Sequence, residues 1–120
     1  MKSVDETKTA LRTALKEAMR ARNPESISVL REALAAIDNA EAADASAAPA
    51  VQAGVIAGGV SGLGAGEVAR KVLSPEAVAQ IIERELKERR DAASTYTNLG
   101  RHDEAATLLR QAEVLAPFRG

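Results

Sequence analysis

A helix-start signature occurs twice in this chain, and its two positions constrain the fold more than any other feature. Asn-Pro-Glu at 23–25 and Ser-Pro-Glu at 74–76 each combine an N-cap residue, a proline in the first turn and an acidic residue close to the helix N-terminus. Apolar residues at three- and four-residue steps follow each signature. The two signatures therefore predict that long helices begin at about residues 24 and 75.

Apolar periodicity predicts four helices in total, over about 4–22, 24–43, 75–99 and 103–115. Gly100 is a predicted left-handed stop for the third helix, and a proline closes the fourth. The residues that we expect to be buried are Leu11, Leu15, Ala18 and Met19 in the first helix, Ile27, Leu30, Leu34 and Ile37 in the second, Val78, Ile81, Ile82, Leu86, Ala93 and Tyr96 in the third, and Ala105, Leu108, Leu109, Ala112 and Leu115 in the fourth.

Short links within each pair of helices predict an all-α fold of two antiparallel helical hairpins, 1–43 and 74–116, which form a small bundle. The segment 44–73 between them is rich first in alanine and then in glycine. Because glycine at this density costs too much backbone entropy for a stable helix, we expect a flexible connection with a short helical piece near 67–72. The whole chain, 1–120, is expected to be one domain.

Composition excludes several classes of function. The chain has no cysteine, which excludes disulfides, thiolate metal sites and thiol chemistry. No apolar run is long enough to span a bilayer, and the charged N-terminus lacks the apolar stretch of a secretory signal, so we expect a cytoplasmic protein without a membrane role. A formal net charge of −1 argues against a protein built mainly to grip nucleic acid.

Two features suggest chemistry only weakly. Glycines 62, 64 and 66 form G-x-G-x-G, which lacks the spacing of a dinucleotide-binding fingerprint and follows no predicted strand, so a flexible linker is the favoured interpretation. His102 is the only histidine and has no second ligand to share a metal and no recognisable nucleophile beside it. The sequence therefore predicts no catalytic residue, no metal site and no cofactor.

A basic stripe runs along the first helix, since Lys8, Arg12, Lys16 and Arg20 recur every fourth residue. Like charges at this spacing weaken a helix. Two explanations are open: the acidic second helix neutralises the stripe, or a partner carrying phosphates does. The first is favoured because counter-charges lie next to it in the sequence.

The third helix carries the densest charge, with alternating signs over 83–91 that indicate a solvated face with neighbouring ion pairs. A second basic surface is nevertheless a candidate there. With no interleaved aromatic residues to stack bases, any RNA contact would be with the backbone and its shape. The candidate nucleic-acid-binding residues are Arg31, Arg84, Lys87, Arg90 and Arg101.

Several segments keep the order and rough spacing of a known family, and together they resemble YqeY-like proteins of the GatB/YqeY type. The segments are Leu-Lys-Glu-Ala-Met-Arg-Ala-Arg-Asn at 15–23, Val-Leu-Arg at 29–31, Ile37, Asn-Ala-Glu at 39–41, Leu-Ser-Pro-Glu at 73–76, Glu-Leu-Lys-Glu-Arg-Arg-Asp at 85–91, Gly-Arg-His-Asp at 100–103 and Glu-Val-Leu at 113–115.

YqeY-like proteins are similar to the tail domain of the B subunit of glutamine-dependent tRNA amidotransferases, a helical module implicated in holding tRNA. The resemblance thus implies a non-catalytic accessory protein that binds tRNA or a tRNA-modifying complex. It carries no catalytic residues, and nothing in the chain supports a transferred carbon–nitrogen ligase activity with glutamine as the amide donor.

The chain departs from the family in two places. The family continues into a second helical subdomain, so the resemblance implies that this chain holds the N-terminal helical part only. The Ala/Gly connection over 44–73 also replaces a short loop of typical relatives. The alternative function is a protein-interaction or self-association module, as in a homo-oligomer, in which the hairpins expose more apolar surface than one short chain can bury.

Overall fold

A computed structural model describes residues 2–46 and 72–119 of the chain. Within these ranges every regular element is a helix and no strand occurs, so the predicted all-α fold is confirmed. The helices are α1 (Val4–Ala21), α2 (Pro24–Ser46), α3 (Pro75–Asn98) and α4 (His102–Leu115), and a 3₁₀ turn (Ala116–Phe118) follows α4.

Contacts divide the chain into two compact units, one formed by Met1–Ala35 together with Ser74–Gly120 and the other by Ala36–Leu73. In the first unit α1 and the start of α2 form one hairpin, and α3 and α4 pack along each other as the second. α2 itself continues to Ser46, three residues beyond the predicted end of the first hairpin.

The predicted division at residues 43 and 74 stays a prediction, because most of the segment 44–73 lies outside the described residues. The short helical piece predicted near 67–72 also lies outside them, except for Val72, which is not helical.

The side chains predicted to begin the helices do so. Asn23 Oδ1 accepts a hydrogen bond from the Ser26 amide at 3.2 Å, and Ser74 Oγ accepts one from the Ala77 amide at 3.0 Å. α1 begins with a capping box, in which Ser3 Oγ accepts from the Glu6 amide and Glu6 Oε1 accepts from the Ser3 amide. These hydrogen bonds lower the pKa of Glu6 below its ordinary value.

Two helices end in the same hydrogen-bonded motif with different residues at the left-handed position. At the end of α3, Gly100 has a φ of 79°, and the Arg101 amide donates to the Tyr96 carbonyl at 2.8 Å. At the end of α1 the corresponding residue is Arg22, with a φ of 55°. Glycine adopts this conformation freely, whereas an arginine there carries a steric cost.

The core of the first unit is aliphatic, and it contains fewer residues than the apolar stripes of the sequence predicted. Met19 and Leu109, which were expected inside, are each 48% exposed, and Leu15, Ile27, Leu34, Leu108 and Tyr96 are only half-buried. None of the described helices is long and apolar enough to cross a membrane. The buried apolar side chains of this unit are Leu11, Ala18, Val29, Leu30, Ala33, Val78, Ile81, Ile82, Leu86, Ala93, Ala105, Ala112 and Leu115.

Candidate nucleic-acid interface

The five predicted nucleic-acid-binding residues lie on three elements of the first unit, and all five are exposed. Arg31 lies on α2, and Arg101 lies in the turn between α3 and α4. The other three, Arg84, Lys87 and Arg90, lie on α3. At three-residue steps these α3 positions are neighbours along one side of the helix, so the structure brings them together as a row.

Two of the five cations already have an acidic partner within one or two turns of chain. Lys87 Nζ lies 2.7 Å from Asp91 Oδ2, which raises the pKa of Lys87. Arg101 Nη2 lies 2.7 Å from Glu104 Oε2, and its guanidinium carbon lies 5.2 Å from the centre of the Tyr96 ring. The hydrogen bond that Arg101 donates to Glu104 lowers the pKa of Glu104. Both cations are therefore partly neutralised before any ligand arrives.

The remaining three, Arg31, Arg84 and Arg90, are exposed and make no hydrogen bond or ion pair with any residue of 2–46 and 72–119. A guanidinium in this state keeps all five of its N–H donors available to water or to an incoming anion. These three side chains are the part of the predicted surface that can still bind phosphate oxygens bidentately.

Acidic side chains interrupt the same face of α3. Glu83, Glu88 and Asp91 are all exposed between the cations, and Glu83 Oε1 lies 3.6 Å from Arg119 Nη1. Alternating signs reduce the potential that the face projects into solvent, and salt screens what remains. Most of the charged residues of α3 are exposed, in agreement with the predicted solvated face.

One charged residue of α3 was assigned wrongly to that face. Arg89 is 7% exposed, and its guanidinium forms ion pairs with Glu32 of α2 and with Glu85, whose Oε1 accepts from Nη1 at 2.8 Å. Nη1 also donates to the Glu85 carbonyl at 3.0 Å, while Nε is buried without a partner among the described residues. Arg89 is thus a buried tie between α2 and α3 and is inaccessible to a nucleic acid.

The sequence did hold a signal for this burial. Position 89 is three residues after Leu86, seven after Ile82 and four before Ala93, so it falls in the middle of the apolar stripe of α3. An arginine at such a position must find acidic partners when the helix packs.

A second tie links the start of α2 to α4. Arg110 Nε and Nη2 each donate to one carboxylate oxygen of Glu25 at 2.8 Å, so the pair is bidentate. Thr107 Oγ1 donates to the same carboxylate at 3.2 Å, and Gln111 Nε2 donates to the Glu25 carbonyl at 3.1 Å. The hydrogen bond from Arg110 lowers the pKa of Glu25 below its ordinary value.

The described residues contain no cluster of three or more histidine, cysteine, aspartate or glutamate side chains that could hold a metal ion. His102 lies exposed at the first residue of α4. The glycines of the G-x-G-x-G segment lie outside the described residues. A cavity of about 130 Å³ lies against Thr7, Val78 and Phe118, and its lining contains no histidine or carboxylate that could act as a general base.

A family model described as "Yqey-like protein" matches residues 63–119, which include α3 and α4. The resemblance seen in the sequence is therefore confirmed for this part of the chain. The match does not reach α1 or α2, so the resemblance of 15–23 and 29–41 stays a prediction. No curated protein and no solved structure matches the chain.

Proposed function

We propose that this chain, which is YqeY-like over residues 63–119, is a non-catalytic accessory protein that binds tRNA or a tRNA-modifying complex. The observation that carries the proposal is the coincidence of this family match with exposed, unpaired arginines. Arg84 and Arg90 lie on the matched helix α3, and Arg31 lies on α2. Lys87 and Arg101 add charge but are held by Asp91 and Glu104.

Such a surface suits the backbone of RNA better than its bases. Tyr96 is the only aromatic side chain near these cations in the sequence, it is half-buried, and Arg101 stacks over its ring. Stacking of unpaired bases needs exposed aromatic faces, whereas arginine binds phosphate oxygens without them. We therefore expect recognition of tRNA through its shape and phosphates.

Fluorescence anisotropy of labelled tRNA with the purified protein tests the proposal, at low salt and at about 150 mM salt, with a random RNA duplex as competitor. We expect micromolar or tighter binding, a preference for tRNA and a steep loss of affinity with salt, because each phosphate contact releases counterions. Alanine at Arg31, Arg84, Lys87, Arg90 and Arg101 together is expected to abolish the preferential binding of tRNA over the duplex. Unchanged binding by this variant, or no binding at low salt, would contradict the proposal.

The alternative is a protein-interaction module, and one observation favours it. Leu109 is 48% exposed beside a shallow groove that α3 lines with Arg90, Ala93 and Thr97. Leu99, near the end of the same helix, is 65% exposed. Apolar association would be insensitive to salt, so sedimentation of the protein at low and high salt, with Leu109→Gln as the variant, distinguishes the two functions.

A further inference from the structure

The solvent-facing side of α1 carries a row of cations. Arg12, Lys16 and Arg20 are all exposed, while Leu11 and Ala18 on the other side of the helix are buried. Eight residues at a rise of about 1.5 Å place the outer two about 12 Å apart along the axis. We call Arg12, Lys16 and Arg20 the α1 row.

Neutralisation by the acidic second helix was the favoured explanation for this charge, and the described part of the chain does not bear it out for the α1 row. None of its three side chains makes an ion pair or hydrogen bond with residues 2–46 or 72–119. Acidic side chains at the start of α2 are engaged elsewhere, because Glu25 pairs with Arg110 and Glu32 pairs with Arg89.

The neighbourhood of the α1 row is strongly positive. Residues 11–22 hold the row and Arg22 against the single acid Glu17, which gives four positive charges, one negative charge and a net charge of +3. Glu6, in the first turn of α1, is occupied by its hydrogen bonds to Ser3.

Arg22 extends this cationic surface from an unusual backbone position. It adopts the left-handed conformation at the end of α1, where glycine or asparagine is the common choice. Favourable interaction of cations with the C-terminal end of the helix dipole accounts for Arg20 and Arg22, but it falls off within the last turn and does not reach Arg12.

We propose that the α1 row binds the phosphate backbone of a nucleic acid, and that it does so without Arg31, Arg84 and Arg90. The inference goes beyond the proposed function, because α1 lies outside the part of the chain that matches the family. A linear array of unpaired cations complements the regular negative charge of a duplex, and it contains no group that distinguishes one base from another. Binding at this site is therefore independent of the nucleotide sequence.

Charge and burial together favour a nucleic acid over a lipid surface. A helix that binds a bilayer inserts its apolar side among the acyl chains. On α1 that side is committed to the protein core, since Leu11 is fully buried. The α1 row is thus left to make electrostatic contact alone, which the backbone of a nucleic acid satisfies.

Two triple variants with the same change of charge test the site. In one, Arg12, Lys16 and Arg20 are each replaced by Gln; in the other, Arg31, Arg84 and Arg90 are each replaced by Gln. Anisotropy with a short labelled RNA duplex of arbitrary sequence is measured from about 50 to 200 mM salt. We expect the α1 variant to lose about tenfold or more in affinity, and its salt slope to fall by about one for each phosphate contact removed.

Circular dichroism establishes that both variants are folded, and glutamine preserves helix propensity. The site would be supported if the α1 variant loses duplex binding and the variant at Arg31, Arg84 and Arg90 loses less. Equal losses would attribute binding to net charge and would overturn it, as would unchanged binding by the α1 variant. A wild-type protein that binds anionic vesicles but not the duplex would also overturn it.

The same experiment separates this inference from the proposed function. Preference for tRNA over the duplex, and its loss in the variant at Arg31, Arg84 and Arg90, tests the proposed function. Duplex binding that depends on the α1 row, without any preference for tRNA, would uphold the α1 site while the proposed function fails.

Discussion

Helices α1 and α3 are both strongly charged, but they differ in how many of their cations have acidic partners. On α3 the cations Lys87 and Arg89 find acidic partners within the protein, whereas the other two arginines of this helix find none among the described residues. On α1 the row of Arg12, Lys16 and Arg20 finds none among the described residues. The number of charges on a helix therefore says less about a binding surface than the number left unpaired.

The physical reason lies in what pairing does to the field outside the protein. An exposed ion pair adds little to stability, yet it cancels much of the potential that its cation would project. Unpaired like charges at four-residue spacing weaken their own helix and project a field in which every charge adds. The paired cations of α3 therefore attract anions less than the unpaired cations of the α1 row do.

The largest effect that we expect comes from breaking the buried pair of α3. Arg89→Ala leaves Glu85 largely buried without its partner, which we expect to lower the free energy of unfolding by about 3–5 kcal/mol. The matched control is Arg84→Ala on the exposed side of the same helix, with an expected change within about 0.5 kcal/mol. Urea denaturation measures both, and equal losses in the two variants would show that burial of Arg89 contributes nothing specific.

A smaller effect is expected at the tie between α2 and α4, and it depends on pH. Because the pKa of Glu25 is lowered from 4.5, its ionised form stabilises the fold above about pH 4.5, and that stabilisation is lost as the pH falls through the lowered value. Glu25→Gln should lower the melting temperature at pH 7 and flatten its decline below pH 4.5.

The matched control for Glu25 is Glu104→Gln, since Glu104 pairs with Arg101 only three residues away. Because the pair of Glu104 with Arg101 does not join two helices, we expect Glu104→Gln to change the melting temperature at pH 7 less than Glu25→Gln does. Thermal unfolding from pH 3 to pH 7 compares the two, and an unaltered pH profile in Glu25→Gln would rule out the tie as a source of acid sensitivity.

The smallest effect concerns the cost of the α1 row. Lys16→Gln removes both like-charge pairs of the row at once, and we expect it to raise the melting temperature at low salt by about 1–4 °C. The gain should disappear at high salt, where the repulsion is screened. Lys87→Gln is the control, because loss of its pair with Asp91 should give no gain. A Lys16→Gln variant that is less stable than wild type at low salt would show that Lys16 is paired in solution.

Local signals in the sequence were sufficient for three of the helix caps. The N-caps Asn23 and Ser74 and the left-handed Gly100 were all predicted, because each acts through hydrogen bonds that span at most five positions. The four helices followed from apolar periodicity for the same reason. Such features need no knowledge of which helix lies beside which.

Features that join distant parts of the chain were missed. The pairs of Arg89 with Glu32 and of Arg110 with Glu25 link residues 57 and 85 positions apart, so only packing decides them. The periodicity of α3 would have flagged Arg89 as buried, but not its partner on α2. Likewise, the exposure of Leu109 depends on which flank of α4 its neighbours cover.

Asn23 joins the end of one helix to the start of the next within a single residue. Its amide donates to the Ala18 carbonyl of α1 at 3.0 Å, while its side chain accepts from the Ser26 amide of α2. Fraying at either terminus therefore disturbs the other, and the two helices behave at this corner as one cooperative unit. The amides of Asn23 and Ser26 should exchange with solvent together, with a common opening free energy.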